Sequence, residues 1–187
     1  MSFLDTILQQ DKELFIYLNA LGSETWDNFW MLLTNQFNWI PLFLLMFFLL
    51  FKAYGWKKGL VILVVVALLV TFSDQFANLI KDYFGRIRPN NDPSINKLIR
   101  ILKTPRSFSF VSGHSTTSFA VTTFMIASLK DHYKYPLLLL IWPLPFAYSR
   151  IYLGVHFPID IFIGMLLGIV IGYIFYKISI IFLRKIH

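Results

Sequence analysis

The stretch KGLVILVVVALLVTFSDQFANLIK, residues 58–81, decides the fold. From Leu60 to Phe72 every residue but Thr71 is apolar, and polar residues return only at Ser73 and Asp74. As one helix rising about 1.5 Å per residue it reaches roughly 34 Å, enough to cross the ~30 Å hydrocarbon layer of a bilayer. Lys57 and Lys58 then mark one membrane face and Lys81 the other. The whole chain agrees: of 187 residues 57% are apolar and 14% charged, where a water-soluble domain carries about a quarter charged. A water-exposed globule is excluded. Twenty Phe, nine Tyr and five Trp exclude intrinsic disorder as well. The chain has no cysteine, so disulfides, thiolate metal sites and Cys nucleophiles drop out. A net charge of +7 suits nucleic acid, anionic lipid or a phosphate-bearing substrate, and the apolar runs favour the last two.

Working outward, the chain from Trp26 through Ile40 to Phe51 forms another span, interrupted at Asn35, Gln36 and Asn38, where a bend is predicted. After Tyr83 the pattern breaks. Residues 85–111 carry Arg86, Arg88, Pro89, Asn90, Asn91, Pro93, Pro105 and Arg106, so this segment stays outside the hydrocarbon. Apolar helical sequence resumes at Ser115–Leu129, Leu137–Tyr152 and Pro158–Phe182. The first two of these are short for a bilayer, roughly 16 residues where ~20 are usual, so their ends must reach the interface through aromatic or basic flanks. Gly164, Gly168 and Gly172 share one face of the last span and read as a close-packing surface. Near the N-terminus Phe3, Leu4, Ile7, Leu8, Leu14, Phe15 and Leu18 recur at spacings of three and four, among Asp5, Asp11, Lys12 and Glu13. That pattern is unlike a secretory signal; the segment is retained in the mature protein, as a helix in the bilayer interface or one packed on the bundle. The predicted fold is all-α: an integral membrane helical bundle of about five to six transmembrane helices. It forms a single membrane-embedded domain over residues 1–187, with an N-terminal interfacial helix in 1–24 and an extracytoplasmic loop at 85–111.

Alternating the spans gathers the polar residues. Lys81 ends the second span, Ser112, Gly113 and His114 open the third, Ser149 and Arg150 close the fourth, and His156 and Asp160 open the fifth. All land on one membrane face. Two guanidiniums and an ammonium beside the free N–H groups of a helix start form a phosphate receptor. His156 and Asp160 are four apart, near enough for the carboxylate to hold the imidazole in one tautomer, as a nucleophilic or basic histidine requires. His114 can then protonate the departing oxygen. Lys and Arg are almost evenly divided between the faces. Only with Lys81, Arg88 and Arg150 set aside as ligands does the count lean toward a cytoplasmic Lys57 face.

Lys81-(six residues)-Arg88-Pro89, Ser112-Gly113-His114 and Ser149-Arg150-(five residues)-His156-(three residues)-Asp160 together resemble the three-part signature of the type 2 phosphatidic acid phosphatase superfamily. The resemblance runs from Lys81 to Asp160. It departs at Val111, where family members often carry Pro, which touches local loop geometry only. It implies that His156 attacks phosphorus and forms a phosphohistidine, that Asp160 orients it, and that His114 protonates the leaving group. Lys81, Arg88, Arg150, Ser112 and the Gly113 amide would hold the phosphoryl oxygens. No metal and no cofactor are implied.

The implied partners are the bilayer and a membrane lipid phosphate, not nucleic acid, and the implied location is a bacterial inner membrane with the site on the extracytoplasmic face. Polyprenyl diphosphate such as undecaprenyl diphosphate leads as substrate class, followed by phosphatidic acid and phosphatidylglycerol phosphate, with lipid A as the alternative. A transporter or anion-binding membrane protein is the competing class. Outside the signature, Arg86, Arg100, Lys103 and Arg106 read as solvated or headgroup-facing, and His132 and His187 as solvated. Asp74 reads as a polar contact inside the bundle, reaching Lys81 only through a bent stem or a water.

Overall fold

Ser2 starts the first helix: its hydroxyl accepts the Asp5 N–H while the Asp5 carboxylate accepts the Ser2 N–H, a reciprocal cap. In this computed structural model, which describes residues 2–185, six helices follow in order and no strand forms among the described residues. They are α1 (Phe3–Ala20), α2 (Glu24–Leu33), α3 (Ile40–Phe84), α4 (Gly113–Leu129), α5 (Pro143–Tyr152) and α6 (Pro158–Leu183). Short 3-10 turns at Gln36–Trp39 and Pro136–Ile141 precede α3 and α5. The chain end carrying His187 lies outside the described residues.

The bend expected at Asn35–Asn38 is the first of these turns, opened by the Asn35 side chain accepting the Phe37 N–H. α3 holds two spans joined at Gly55, whose φ of 75° and ψ of 173° suit glycine alone. The chain reverses there. Phe51 packs on the Trp56 ring and against Gly59, and Met46 and Leu50 of the first limb share a core with Ile62, Val65, Val66 and Leu69 of the second.

α4 is the central helix, against α3, α5 and α6. Its buried side is small and hydroxylic, with Ser115, Thr116, Ser118, Thr122 and Ser128 among Phe119, Phe124 and Met125. Small side chains allow close approach to α6: a Cβ at Gly164 would stand 2.9 Å from the Ser112 carbonyl, and Cβ atoms at Gly168 and Gly172 would collide with the carbonyls of Thr116 and Ala120. The three glycines are therefore the packing face read from their spacing. Gly168→Ala forces the backbones apart. It is expected to cost about 1–3 kcal/mol, seen as a detergent melting midpoint lowered by roughly 2–10 °C; an unchanged midpoint counts against the contact.

The outer surface is apolar. Leu44, Phe48, Val64, Leu68, Val170, Ile174 and Ile181 are all exposed, which in water is untenable at this density and in lipid is ordinary. α3 and α6 are long and apolar enough to cross a membrane. α1 packs on the bundle and leaves an apolar side exposed. Asp11, Phe15 and Asn19 face inward on the bundle, while Phe3, Leu4, Leu8 and Leu14 face out. Asn19 is fully buried, donating to the carbonyls of Arg100, Ile151 and Tyr152 and accepting the Arg100 N–H. These bonds hold α1 against the end of α5 and the long loop.

Candidate active site

Five chain segments bring the polar residues to one end of the bundle. α3 contributes Lys81, 8% exposed, whose ammonium donates to Asn78 Oδ1 at 2.9 Å. Asn78 in turn donates to Asp74 Oδ2 at 3.2 Å. Asp74 is exposed on the outer side of α3, which corrects its reading as a contact inside the bundle. Its link to Lys81 runs through the Asn78 amide, because residues three and four apart share a helix face.

The loop after α3 contributes Arg88, 4% exposed. Its Nε and Nη2 donate to the Ser107 carbonyl and hydroxyl, and Nη1 donates to the Val155 carbonyl and lies 3.0 Å from His156 Nε2. Burial lowers Arg88 to about 10, so it stays a cation at neutral pH.

α4 begins where Ser112 caps it, its hydroxyl accepting the Ser115 N–H, and where its own N–H binds the Asp160 carbonyl at 3.0 Å. The starts of α4 and α6 are thereby joined. Gly113 lies beside Lys81: a Cβ there would stand 3.1 Å from the ammonium nitrogen. His114 stacks on Phe146 of α5, with centroids 5.2 Å apart, and keeps one side open.

α5 contributes Arg150, 5% exposed, whose Nη1 donates to Thr34 Oγ1 at 2.7 Å and whose buried Nε has no partner. The Arg150 carbonyl accepts the N–H groups of Val155 and His156, folding the connection to α6 back over it. His156 is 1% exposed in that connection. Burial, aided by the Arg88 and Arg150 charges and opposed by Asp160, pushes its imidazole down to about 3, so it is neutral with a lone pair at physiological pH.

Asp160 stands in the first turn of α6 and is fully buried. Its Oδ2 accepts the Phe157 N–H and the Ser109 hydroxyl and lies 3.6 Å from His156 Nδ1, while Ser109 Oγ is itself 3.4 Å from that nitrogen. The orientation expected from the four-residue spacing is thus shared with Ser109. Its Oδ1 accepts Arg86 Nη1 at 2.6 Å.

Arg86 is therefore no solvated residue. It bridges Asp160 and Asp11 and covers the Phe157 ring at 4.1 Å. Arg100 also departs from its solvated reading, its Nη2 donating to both oxygens of Asp27 at 2.7 and 2.9 Å. Arg106 and His132 are exposed.

All eight candidate site residues come together at one end of the bundle. The charges of Lys81, Arg88 and Arg150 act on one another and on His114, and those of Arg88 and Arg150 act on His156. Among the described residues none of the three cations pairs with a carboxylate, and no cluster of His, Asp and Glu could hold a metal ion. Asp11, Thr34, Asn78, Arg86 and Ser109 join the site without any sequence reading having selected them. Asn78 was readable, three residues before Lys81 on one helix. Thr34 and Ser109 lie outside helical periodicity and carried no signal.

The sequence and the fold resemble those of other proteins. The chain is 32% identical over 173 residues to the Lipid A 4'-phosphatase of Bacteroides thetaiotaomicron, covering 90% of this chain and 76% of that one. It is 27% identical over 171 residues to an Undecaprenyl-diphosphatase of Sulfolobus acidocaldarius, covering 89% and 77%. Its fold matches the transmembrane PAP2 type phosphatidylglycerolphosphate phosphatase of Bacillus subtilis with a TM-score of 0.73 at 20% identity, over 97% of this chain and 88% of that one. Residues 58–182, the segment holding all three motifs, match the model of the PAP2 superfamily, and the chain belongs to that family.

Proposed function

We propose that this protein is a multi-pass membrane enzyme that removes phosphate from a membrane lipid through a phosphohistidine. One observation carries the reading: three buried cations without carboxylate partners among the described residues stand at the same end of the bundle as a neutral imidazole, with Arg88 Nη1 3.0 Å from its Nε2. Burying an unpaired cation costs several kcal/mol. A phosphoryl group supplies the missing negative charge, and Lys81, Arg88, Arg150, Ser112 and the Gly113 N–H are its ligands.

His156 Nε2 attacks phosphorus as the bond to the lipid oxygen breaks, and that bond's electrons pass to the leaving oxygen. His114, protonated beside the bound dianion, gives the leaving oxygen its proton. Water then attacks phosphorus, His114 takes its proton, and the N–P electron pair returns to His156. Asp160 supports the Nδ1 proton throughout, with Ser109 beside it. The side-chain cations supply the charge stabilisation of the transition state, so no metal enters the scheme.

The substrate is a phosphomonoester or diphosphate on a lipid whose tails remain in the bilayer. The likeness to a lipid A phosphatase over nine-tenths of the chain favours a lipid A type glycolipid. Polyprenyl diphosphate comes second, with phosphatidic acid and phosphatidylglycerol phosphate behind. The site faces the extracytoplasmic side of a bacterial inner membrane, consistent with the lean of Lys and Arg toward the Lys57 face.

The test is phosphate release by purified protein from each of these lipids, with a chelator present. Release from lipid A first, undiminished by the chelator, is expected. Metal-dependent release overturns the scheme. Anion flux into vesicles without hydrolysis of any lipid supports the transporter reading instead.

A further inference from the structure

Two arginines in one loop hold opposite ends of one imidazole. Arg88 lies against Nε2 of His156 and is held there by bonds to Ser107 and the Val155 carbonyl. Arg86, two residues earlier, holds the carboxylate that faces Nδ1. Arg86 does not stand alone. Its Nη2 donates at 2.6 Å to Asp11 of α1, a residue whose side chain is fully buried. The other Asp11 oxygen accepts the Ile159 N–H at 2.9 Å, in the first turn of α6. Alternating charges thus run from the N-terminal helix through Asp11, Arg86 and Asp160, and Asp160 faces the neutral ring of His156.

We propose that Arg86, braced by Asp11 of α1, is a positioning residue that keeps the Asp160 carboxylate ionised and aimed at Nδ1 of His156. This rests on the phosphohistidine reading above. Asp160 is fully buried and Arg86 is its one ion-pair partner among Lys and Arg of the described residues. A buried carboxylate deprived of its cation takes up a proton or turns away. Either way it stops stabilising the positive charge that grows on the attacking imidazole. Neither Asp11 nor Arg86 reaches the phosphate ligands, so their loss affects the chemical step and leaves binding in place. It also follows that α1 is part of the working site, because its docking sets one end of the carboxylate clamp.

The test compares Arg86→Gln, Arg86→Lys, Asp11→Asn, Asp160→Asn and the Arg86→Gln/Asp160→Asn double variant, reading kcat and KM separately on the best lipid of the panel. Asp160→Asn alone is expected to lower kcat about a thousandfold or more, as for the carboxylate of a catalytic triad. Arg86→Gln is expected to lower kcat by about 10- to 100-fold, the usual cost of losing a residue that orients a ligand, with KM little changed. Arg86→Lys restores part of that loss, since an ammonium pairs with one carboxylate but cannot fork. The double variant is no slower than Asp160→Asn alone, because both changes remove the same function.

A loss confined to KM, or losses that multiply in the double variant, overturn the assignment. So does a normal Arg86→Gln beside an impaired Asp160→Asn, which leaves the phosphohistidine reading standing. A normal Asp160→Asn removes both. If Arg86→Gln fails to fold, Asp11→Asn decides: it keeps the shape of the contact while weakening the brace. A kcat lowered about threefold or more at constant KM supports the proposal, and an unchanged kcat overturns it.

Discussion

His156→Ala stops lipid dephosphorylation, with turnover falling at least about 10,000-fold, the scale seen when a covalent nucleophile is removed. The ring is buried and neutral, and its Nε2 lies 3.0 Å from Arg88 Nη1. No neighbouring group can replace it. Ser109 is bonded to Asp160 on the far side of the ring, and Ser112 caps α4. Substrate binding survives, because Lys81, Arg88 and Arg150 keep their positions. A transporter built on the same cations would retain part of its flux in this variant. The decisive readout is acid-labile phosphate on the protein after quenching a reaction with radiolabelled lipid: present in the wild type, missing from His156→Ala. Turnover within tenfold of wild type by His156→Ala ends the phosphohistidine reading.

Arg150→Met is expected to abolish turnover and to raise the stability of the ligand-free protein. Arg150 is 5% exposed, and among the described residues its Nε has no partner and its one side-chain hydrogen bond is to the neutral hydroxyl of Thr34. Two further unpaired cations stand nearby. Replacing such a charge with an apolar side chain of similar length removes a desolvation cost, and comparable replacements stabilise by about 1–4 kcal/mol. In this chain that raises the detergent melting midpoint by roughly 2–4 °C for each kcal/mol. Losing a forked phosphate ligand lowers kcat/KM by about 100-fold or more. Inorganic phosphate should raise the wild-type midpoint by binding the folded state and should barely move that of the variant. A variant less stable than wild type would mean that Arg150 serves the fold and that its exposure to phosphate is incidental.

Opposite signs in activity and stability are what a site held ready for an anion entails. The three cations repel one another until substrate arrives, and the rest of the bundle holds them there. The close contact of α4 with α6 at Gly164, Gly168 and Gly172, and the Ser112 to Asp160 backbone bond, keep the two histidine-bearing segments together.

Much of this was legible in the residues. The unbroken apolar run from Leu60 to Phe72 requires a helix across lipid, because no other backbone arrangement satisfies its own hydrogen bonds there. Alternating the spans then assigns Lys81, His114, Arg150 and His156 to one face. The bend near Asn35 and the glycine face of α6 follow from turn chemistry and from spacing on a helix. Those are local properties, and local properties are written in order along the chain.

Pairing is not local. Arg86 and Arg88 are chemically alike and two positions apart, yet one clamps Asp160 and the other lies on His156. That difference arises in a loop without periodicity, whose path is closed by the Ser109 N–H on the Arg86 carbonyl and by Arg88 on Ser107. Asp11 in α1 and Thr34 just after α2 come from early in the chain and reach the site only once the bundle has closed. The order of residues determined the membrane, the helices and which end of the bundle carries charge, because hydropathy and helical period act within one segment. Tertiary structure alone decided which cations stay unpaired for a phosphate and which are spent on carboxylates, because that depends on contacts between segments far apart in the chain.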